Sequence, residues 1–308
     1  MEVLPVKQSS SFLRIARAAN GCSPNRYQSP SKKLYTTTMT NPPANPLAVA
    51  EPWDLVADAY TADIVPQFEL FAADAIRLAL LPPSPRIVDV ATGPGTLALV
   101  AAADGATVSA LDFSPAMIAN LERRAAALGI TTVQVVQGDG QALPFDSDSY
   151  DGAFSMFGLF FFPDRAAGFR ELHRVIRPGC RAVASSWAPF RRPFGLVMDA
   201  VREFLPGLPF GDGKAPLGDP DEFAQEMTSA GFRDVQIHQI THTTVASSLQ
   251  AFWKSAQQAN APLVLLQKKL GEQEWRSVSE RVYNRLRDEL GEGPTEVQFA
   301  AYLGVGVK

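Results

Sequence analysis

The chain has 308 residues, a formal net charge of −4, 46% hydrophobic and 19% charged residues. That length and balance suit a folded chain with a substantial core and exclude a disordered polyelectrolyte. Two cysteines, Cys22 and Cys180, cannot build a disulfide framework, the longest apolar stretch (Gly152 to Phe162) is too short to span a bilayer, and the mild acidity gives no general attraction for nucleic acid.

Charge is unevenly spread. Residues 1–40 hold Lys7, Arg14, Arg17, Arg26, Lys32 and Lys33 against Glu2 alone, a balance of +5 that leaves −9 for the rest. The segment is also rich in Ser and Thr, and Phe12, Ile15, Ala16 and Ala19 share one helical face. Arg-rich, Ser-rich and acid-poor is the composition of a mitochondrial transit peptide. The competing reading is a disordered tail, or an upstream extension of a chain starting at Met39, with a cytoplasmic location. Residues 1–45 are therefore set apart as an N-terminal extension, and 46–308 are expected to fold together.

Asn41 to Pro46 (NPPANP) reads as a linker. Residues 53–81 follow a helical period and end at Pro82-Pro83-Ser84-Pro85. Strands are then expected at Arg86–Ala91, Thr107–Asp112, Thr132–Gln137, Tyr150–Phe157 and Arg181–Trp187. Helices fall between them at 96–103, after Ser114-Pro115 up to Gly129, and over 164–177. Strands alternating with helices of this length predict a doubly wound, mostly parallel sheet. Beyond Trp187 the rhythm changes: helices at 196–205 and 219–230, a strand at Val235–Ile240, two amphipathic helices across 249–290 broken near Pro262 and Gly271, and a final strand at Val297–Val307.

Ligands of such sheets sit beyond the carboxyl ends of the strands. Gly93 and Gly95 follow the first strand, where glycine allows close backbone approach and a helix N-terminus offers free N–H groups. Asp112 ends the second strand and can accept from both hydroxyls of a ribose. Phe113 beside it can pack on a purine, and Asp139, after the third strand, can accept from an exocyclic amine. Each has a plainer reading: Asp112 as a turn residue before Ser114, Asp139 as a bare Gly-Asp-Gly turn, Asp89 as a structural hydrogen-bonding residue. Gly93 to Ala98 also satisfies the dinucleotide pattern G-x-G-x-x-A, with Asp112 at nearly the expected spacing, so this motif alone admits a nicotinamide cofactor. His173 reads as a surface residue, and His238 and His242 as structural. The three lack zinc spacing, and no nucleophile elbow occurs. Phe157, Phe160, Phe161 and Phe162 read as core beneath the site, with a pocket lining as the alternative.

Four segments in order, IVDVATGPGT (87–96), ALDFSPAMI (110–118), QGDGQALPFDSDSYD (137–151) and LHRVIRPGCRAVA (172–184), resemble the class I S-adenosylmethionine-dependent methyltransferases. The likeness is closest to the branch with the small-molecule enzymes of ubiquinone and menaquinone biosynthesis. It covers roughly residues 50–190. Ala91 departs from it, since the family usually has a glycine there. The resemblance implies a Rossmann-like, seven-stranded, mostly parallel sheet, with helical caps after the fifth and sixth strands (188–218 and 249–290), and S-adenosylmethionine as cofactor. It implies that Gly93 and Gly95 line the methionine moiety, that Asp89 orients the loop, and that Asp112 holds the ribose. Phe113 and Met117 would then lie at the adenine, Asp139 with Gly140 at its amine, Ser155 and Met156 at the sulfonium, and Tyr60 over the cofactor. The implied reaction is in-line methyl transfer to a small, partly apolar acceptor. No general base, metal site or oligomeric signature can be named. A nicotinamide-dependent oxidoreductase and a non-catalytic binding protein of this fold stay open as alternatives.

Overall fold

The computed structural model describes residues 45–204 and 215–308, with backbone alone for 200–204. The N-terminal extension lies outside the described residues but for Asn45, as do Cys22 and the targeting reading.

Among the described residues two helices precede the sheet, α1 (Glu51–Asp63) and α2 (Val65–Ala79). The single period over 53–81 concealed the break. Pro66 falls in the first turn of α2, where its missing N–H costs nothing, and it cannot continue the helix before it. Ile64 takes the joint, its N–H donating to the Tyr60 carbonyl. Phe68, Phe71, Ala72, Ala75 and Ala79 bury the inner face of α2.

The parallel strands are short: β1 (Arg86–Val90), β2 (Thr107–Asp112), β3 (Val133–Gln137) and β4 (Tyr150–Ser155). Between them run α3 (Thr96–Ala103) and α4 (Pro115–Leu128). The Ser114 hydroxyl caps α4 by accepting the Met117 N–H at 3.1 Å, and Gly129 closes it at φ 66°. After β4 come α5 (Arg165–Val175) and the long β5 (Ile176–Trp187). The expected helix to 177 stops two residues earlier. Arg177 must be extended before Pro178, and Arg-Pro-Gly forms an irregularity within β5, whose pairing to β4 resumes at Arg181. Then follow α6 (Phe194–Phe204), α7 (Pro220–Ser229), β6 (Arg233–Ala246), α8 (Leu249–Ala259), α9 (Ala261–Leu290) and β7 (Thr295–Val307). Inside α9, Gly271 breaks the helix at φ 77°, ψ 169°.

The seven strands form one sheet in the order β3-β2-β1-β4-β5-β7-β6, with β7 antiparallel to both neighbours. This is the doubly wound architecture expected. The chain steps from β1 to β2 to β3 toward one edge and from β4 to β5 toward the other. Right-handed crossovers therefore put α3 and α4 on one face and α5 on the opposite one. The reversal falls between β1 and β4, which pair directly (Asp89 opposite Phe154). A crevice opens there, beyond the strands' carboxyl ends.

The sixth strand runs well past the expected Ile240. Thr241 to Ala246 pairs with Thr295 to Ala300, so β6 and β7 extend as a two-stranded ribbon beyond the end of β5. His173, expected at the surface, is half-buried with its ring edge-on to Phe232 at 5.0 Å. His242 contacts Asp74 of α2 at 2.7 Å, a structural link between helix and sheet.

Candidate functional site: two cavities beyond the sheet

Where β1 ends, the chain turns sharply. Ala91 (φ 56°), Gly93 (φ 56°) and Gly95 (φ 78°) are left-handed, and Gly95 N–H donates to the Thr92 carbonyl at 3.0 Å. Asp89 is buried beneath this turn and accepts the Thr92 hydroxyl at 2.6 Å. Burial pushes its carboxyl up to about 7, with the Thr92 bond pulling the other way.

Asp112, at the end of β2, is 4% exposed. One carboxylate oxygen accepts the Gly93 N–H at 2.8 Å and the other the Ser114 N–H at 2.9 Å. It thus ties the glycine turn to β2 while each oxygen keeps a free lone pair. Burial raises its carboxyl to about 6, against the pull of those N–H groups. Helix α1 is clamped over this edge. Asp54 accepts the Ser114 hydroxyl at 2.5 Å and the Ala116 N–H at 3.2 Å, at the positive end of α4. Tyr60, further along α1, is half-buried, and desolvation of its hydroxyl pushes its phenol well up, with the Asp112 charge adding to it.

These groups line a cavity of about 270 Å³. The structure brings eight of the expected site residues to its wall: Tyr60, Asp89, Gly93, Asp112, Phe113, Met117, Asp139 and Gly140. Two expected residues are not there. Gly95 caps α3, and a side chain at that position would run into Leu121, so its glycine serves packing. Ser155 is fully buried with its hydroxyl unpaired, while the next residue, Met156, reaches the cavity. Asp139 reaches the wall but is exposed, and its carboxylate is engaged within its own turn by the Gln141 N–H (2.8 Å) and side-chain amide (2.9 Å). Gly140 is needed by the Phe162 ring, which a Cβ would approach to 2.5 Å. Thr92, Gln141 and Phe68 also line the cavity and were not foreseen.

A second cavity of about 490 Å³ adjoins the first. Trp53, Tyr60, Phe68, Phe157 and Phe161 line both. The expectation that the phenylalanine run is core holds for Phe157 and Phe160, both buried, although Phe157 also faces the cavities. Phe157, Phe161 and Phe162 line cavities, because the chain after β4 makes a 3-10 turn (Leu159–Phe161) that fans the rings to different sides. Phe157 stacks on Trp187 with ring centres 4.1 Å apart, and Phe68 lies 4.8 Å from Phe157. The rest of the wall comes from α8 (Phe252, Ser255, Ala256), from the loop after β5 (Phe190, Arg191), and from the ribbon (Thr244, Val297, Phe299). The described residues lining the two cavities include no His, Cys or Lys. Among the described residues no group of three or more His, Cys, Asp or Glu is placed to hold a metal ion, and no helix is long and apolar enough to cross a membrane.

Residues 87–179 match a family model described as a methyltransferase domain. Uncharacterised proteins of Mycobacterium bovis and Mycobacterium tuberculosis are 37% identical over 133 residues, 43% of this chain and 48% of each relative, so the chain spans about half the length of those relatives. The demethylmenaquinone methyltransferase of Thermus thermophilus is 37% identical over 199 residues, with 56% of this chain and 90% of that protein covered. The structure of the YcgJ protein of Bacillus subtilis is similar with a TM-score of 0.51 at 18% identity, over 77% of this chain and 97% of that one, a likeness of fold.

Proposed function

Because the chain belongs to the class I S-adenosylmethionine-dependent methyltransferases, we propose that it moves the cofactor's methyl group onto a small, largely apolar, aromatic molecule held in the second cavity. The observation that carries this is the join between the cavities. A chamber with Asp112 and Asp89 in its wall at the switch point shares an aromatic wall with a larger one, both mostly apolar.

The first chamber suits an adenosyl sulfonium. The Asp112 oxygens have lone pairs left for two vicinal hydroxyls, and Phe113, 36% exposed, offers a ring to a purine with Met117 beneath. Gly140 and Asp139 border the purine edge. Gly93, with open space where a side chain would be, and Asp89 take the amino-acid end, where a positive charge would favour the ionised carboxylate. Bound there, the cofactor supplies a methyl group on sulfur with a good leaving thioether. The chain's own residues then act by position. Trp53, Phe68, Phe157 and Phe161 shield the join from water and restrict the acceptor's orientation, which is how an in-line displacement is accelerated without covalent help. Tyr60, its phenol raised, is a donor rather than a base. With no His or Lys in the described walls, the acceptor arrives as its own nucleophile, as an amine or a readily ionised phenol does. The name of the Thermus thermophilus relative supports an aromatic ring of quinone type.

The test is incubation with methyl-labelled cofactor and a metabolite extract, with labelled products identified by mass spectrometry. Calorimetry should give S-adenosylmethionine binding that Asp112→Ala weakens by at least about tenfold, the loss of a charge-assisted contact. Heat with reduced nicotinamide dinucleotide and none with the sulfonium would overturn the reading.

A further inference from the structure

The second cavity is not uniformly apolar. Its wall carries two charges, Asp63 at the end of α1 and Arg191 in the loop after β5. The neighbouring Arg192 is neutralised by Glu289 at 2.7 Å. Arg191 itself has no ion pair or side-chain hydrogen bond among the described residues, and none joins it to Asp63. In the same wall Asn260 uses its carboxamide oxygen to cap α9, accepting the Leu263 N–H at 3.2 Å, which leaves its NH2 group as a free donor. Arg191, solvent-exposed and without an ion pair among the described residues, and an uncommitted amide donor on Asn260 thus belong, with Asp63, to a wall that is otherwise largely apolar.

We propose that this cavity selects an aromatic molecule carrying one anionic group, a carboxylate or its equivalent, which Arg191 binds with Asn260 in support. The rings of Phe190, Trp187 and Phe252 supply area without direction, whereas the planar guanidinium forks onto a carboxylate and fixes its position. Asp63 penalises a second negative charge, so the preferred ligand is a monoanion. This deepens the methyl-transfer reading, which it uses only to call the ligand an acceptor.

The full chain is titrated calorimetrically with 2-naphthoate and with its neutral isostere 2-naphthamide, with and without S-adenosylmethionine. The acid is expected to bind at least about tenfold more tightly than the amide, a charge-assisted bidentate contact against a neutral one. Arg191→Met should erase that preference while amide affinity and cofactor heat stay within about twofold, and Arg191→Lys should restore part of it. Equal affinity of acid and amide, a preference surviving in Arg191→Met, or no binding of either compound overturns the proposal. Loss of cofactor binding with the acid preference intact would sink the methyl-transfer reading and leave this one standing.

Discussion

Ala91 holds a left-handed conformation that costs a non-glycine residue about 1 kcal/mol or more. It is held there because Thr92 N–H donates to the Leu111 carbonyl at 3.0 Å and the turn is closed by Gly95. Its methyl group is accommodated by Gly158: a Cβ at 158 would collide with that of Ala91. The two positions share one methyl-sized space. Gly158→Ala is expected to destabilise by about 1–3 kcal/mol through overpacking. Ala91→Gly should stabilise by about 0.5–1 kcal/mol. The double variant should recover most of the loss, with a coupling above about 1 kcal/mol in urea unfolding; simple additivity would refute the shared space. The departure at Ala91 was visible in the sequence, but its accommodation at Gly158 was not, because only the β1–β4 pairing brings them together. The same limit explains Gly95 and Ser155. Sequence marks a glycine or serine beside a strand end, and only packing tells whether the residue faces the cavity or the core behind it. Asp112 was legible as a ligand-facing carboxylate. Its bond to Gly93, which makes it the fastening of the loop, was not.

Helix α1 is attached to α4 by Asp54, whose carboxylate satisfies a hydroxyl and an N–H at the start of that helix, by Thr61, which accepts from the Asn120 amide at 3.0 Å, and by the exposed Asp58–Arg123 pair at 2.9 Å. Since α1 carries Trp53 and Tyr60 into both cavities, Asp54 acts on the site through the helix it anchors. Asp54→Ala should cost about 1–3 kcal/mol of stability by leaving those donors unmet. It should also speed hydrogen exchange across Glu51–Asp63 more than across α2, and let the Asp112 carboxyl fall slightly, because burial holds it up and the Asp54 charge adds to that. Uniform exchange change across both helices would contradict a local anchor. At this scale the sequence was informative where one pattern ruled, as in the Ser114 cap and Gly129 stop of α4. It misled where two signals met. An unbroken apolar period overrode Pro66, and a helical period ran into Arg177 although Pro178 demanded extension.

The whole molecule is arranged so that two buried carboxylates, Asp89 and Asp112, lie beneath one turn without a cation of their own. Their folded-state values, about 7 and about 6, exceed the ordinary 3.8. Between pH 4 and 7 the folded chain therefore retains protons that the unfolded chain has released, and stability falls as pH rises through that window. The ligand-free protein should lose about 2 kcal/mol or more between pH 5 and pH 8 in urea unfolding, and Asp89→Asn should flatten most of that slope. A stability rising with pH over this range would be incompatible with the buried carboxylates. A bound sulfonium should reverse the trend, binding best above pH 7. The alternation of strands and helices from Arg86 to Trp187 made the central architecture legible, as the sheet order confirms. The reach of β6 to Ala246 was hidden, because Thr241, His242, Thr243 and Thr244 interrupt the apolar pattern by which a strand is recognised.

Ala246 and Thr295 lie opposite each other where the ribbon ends. The stretch from Ser247 to Pro294, which carries α8 and α9, therefore departs and returns at a single point, like a drawer let into a finished frame. No strand pairing depends on what that stretch contains. A lineage, or an engineer, can replace it and reshape the aromatic chamber's outer wall while the glycine turn and Asp112 stay untouched, provided the new helices still fit against α1, on which α8 and α9 pack.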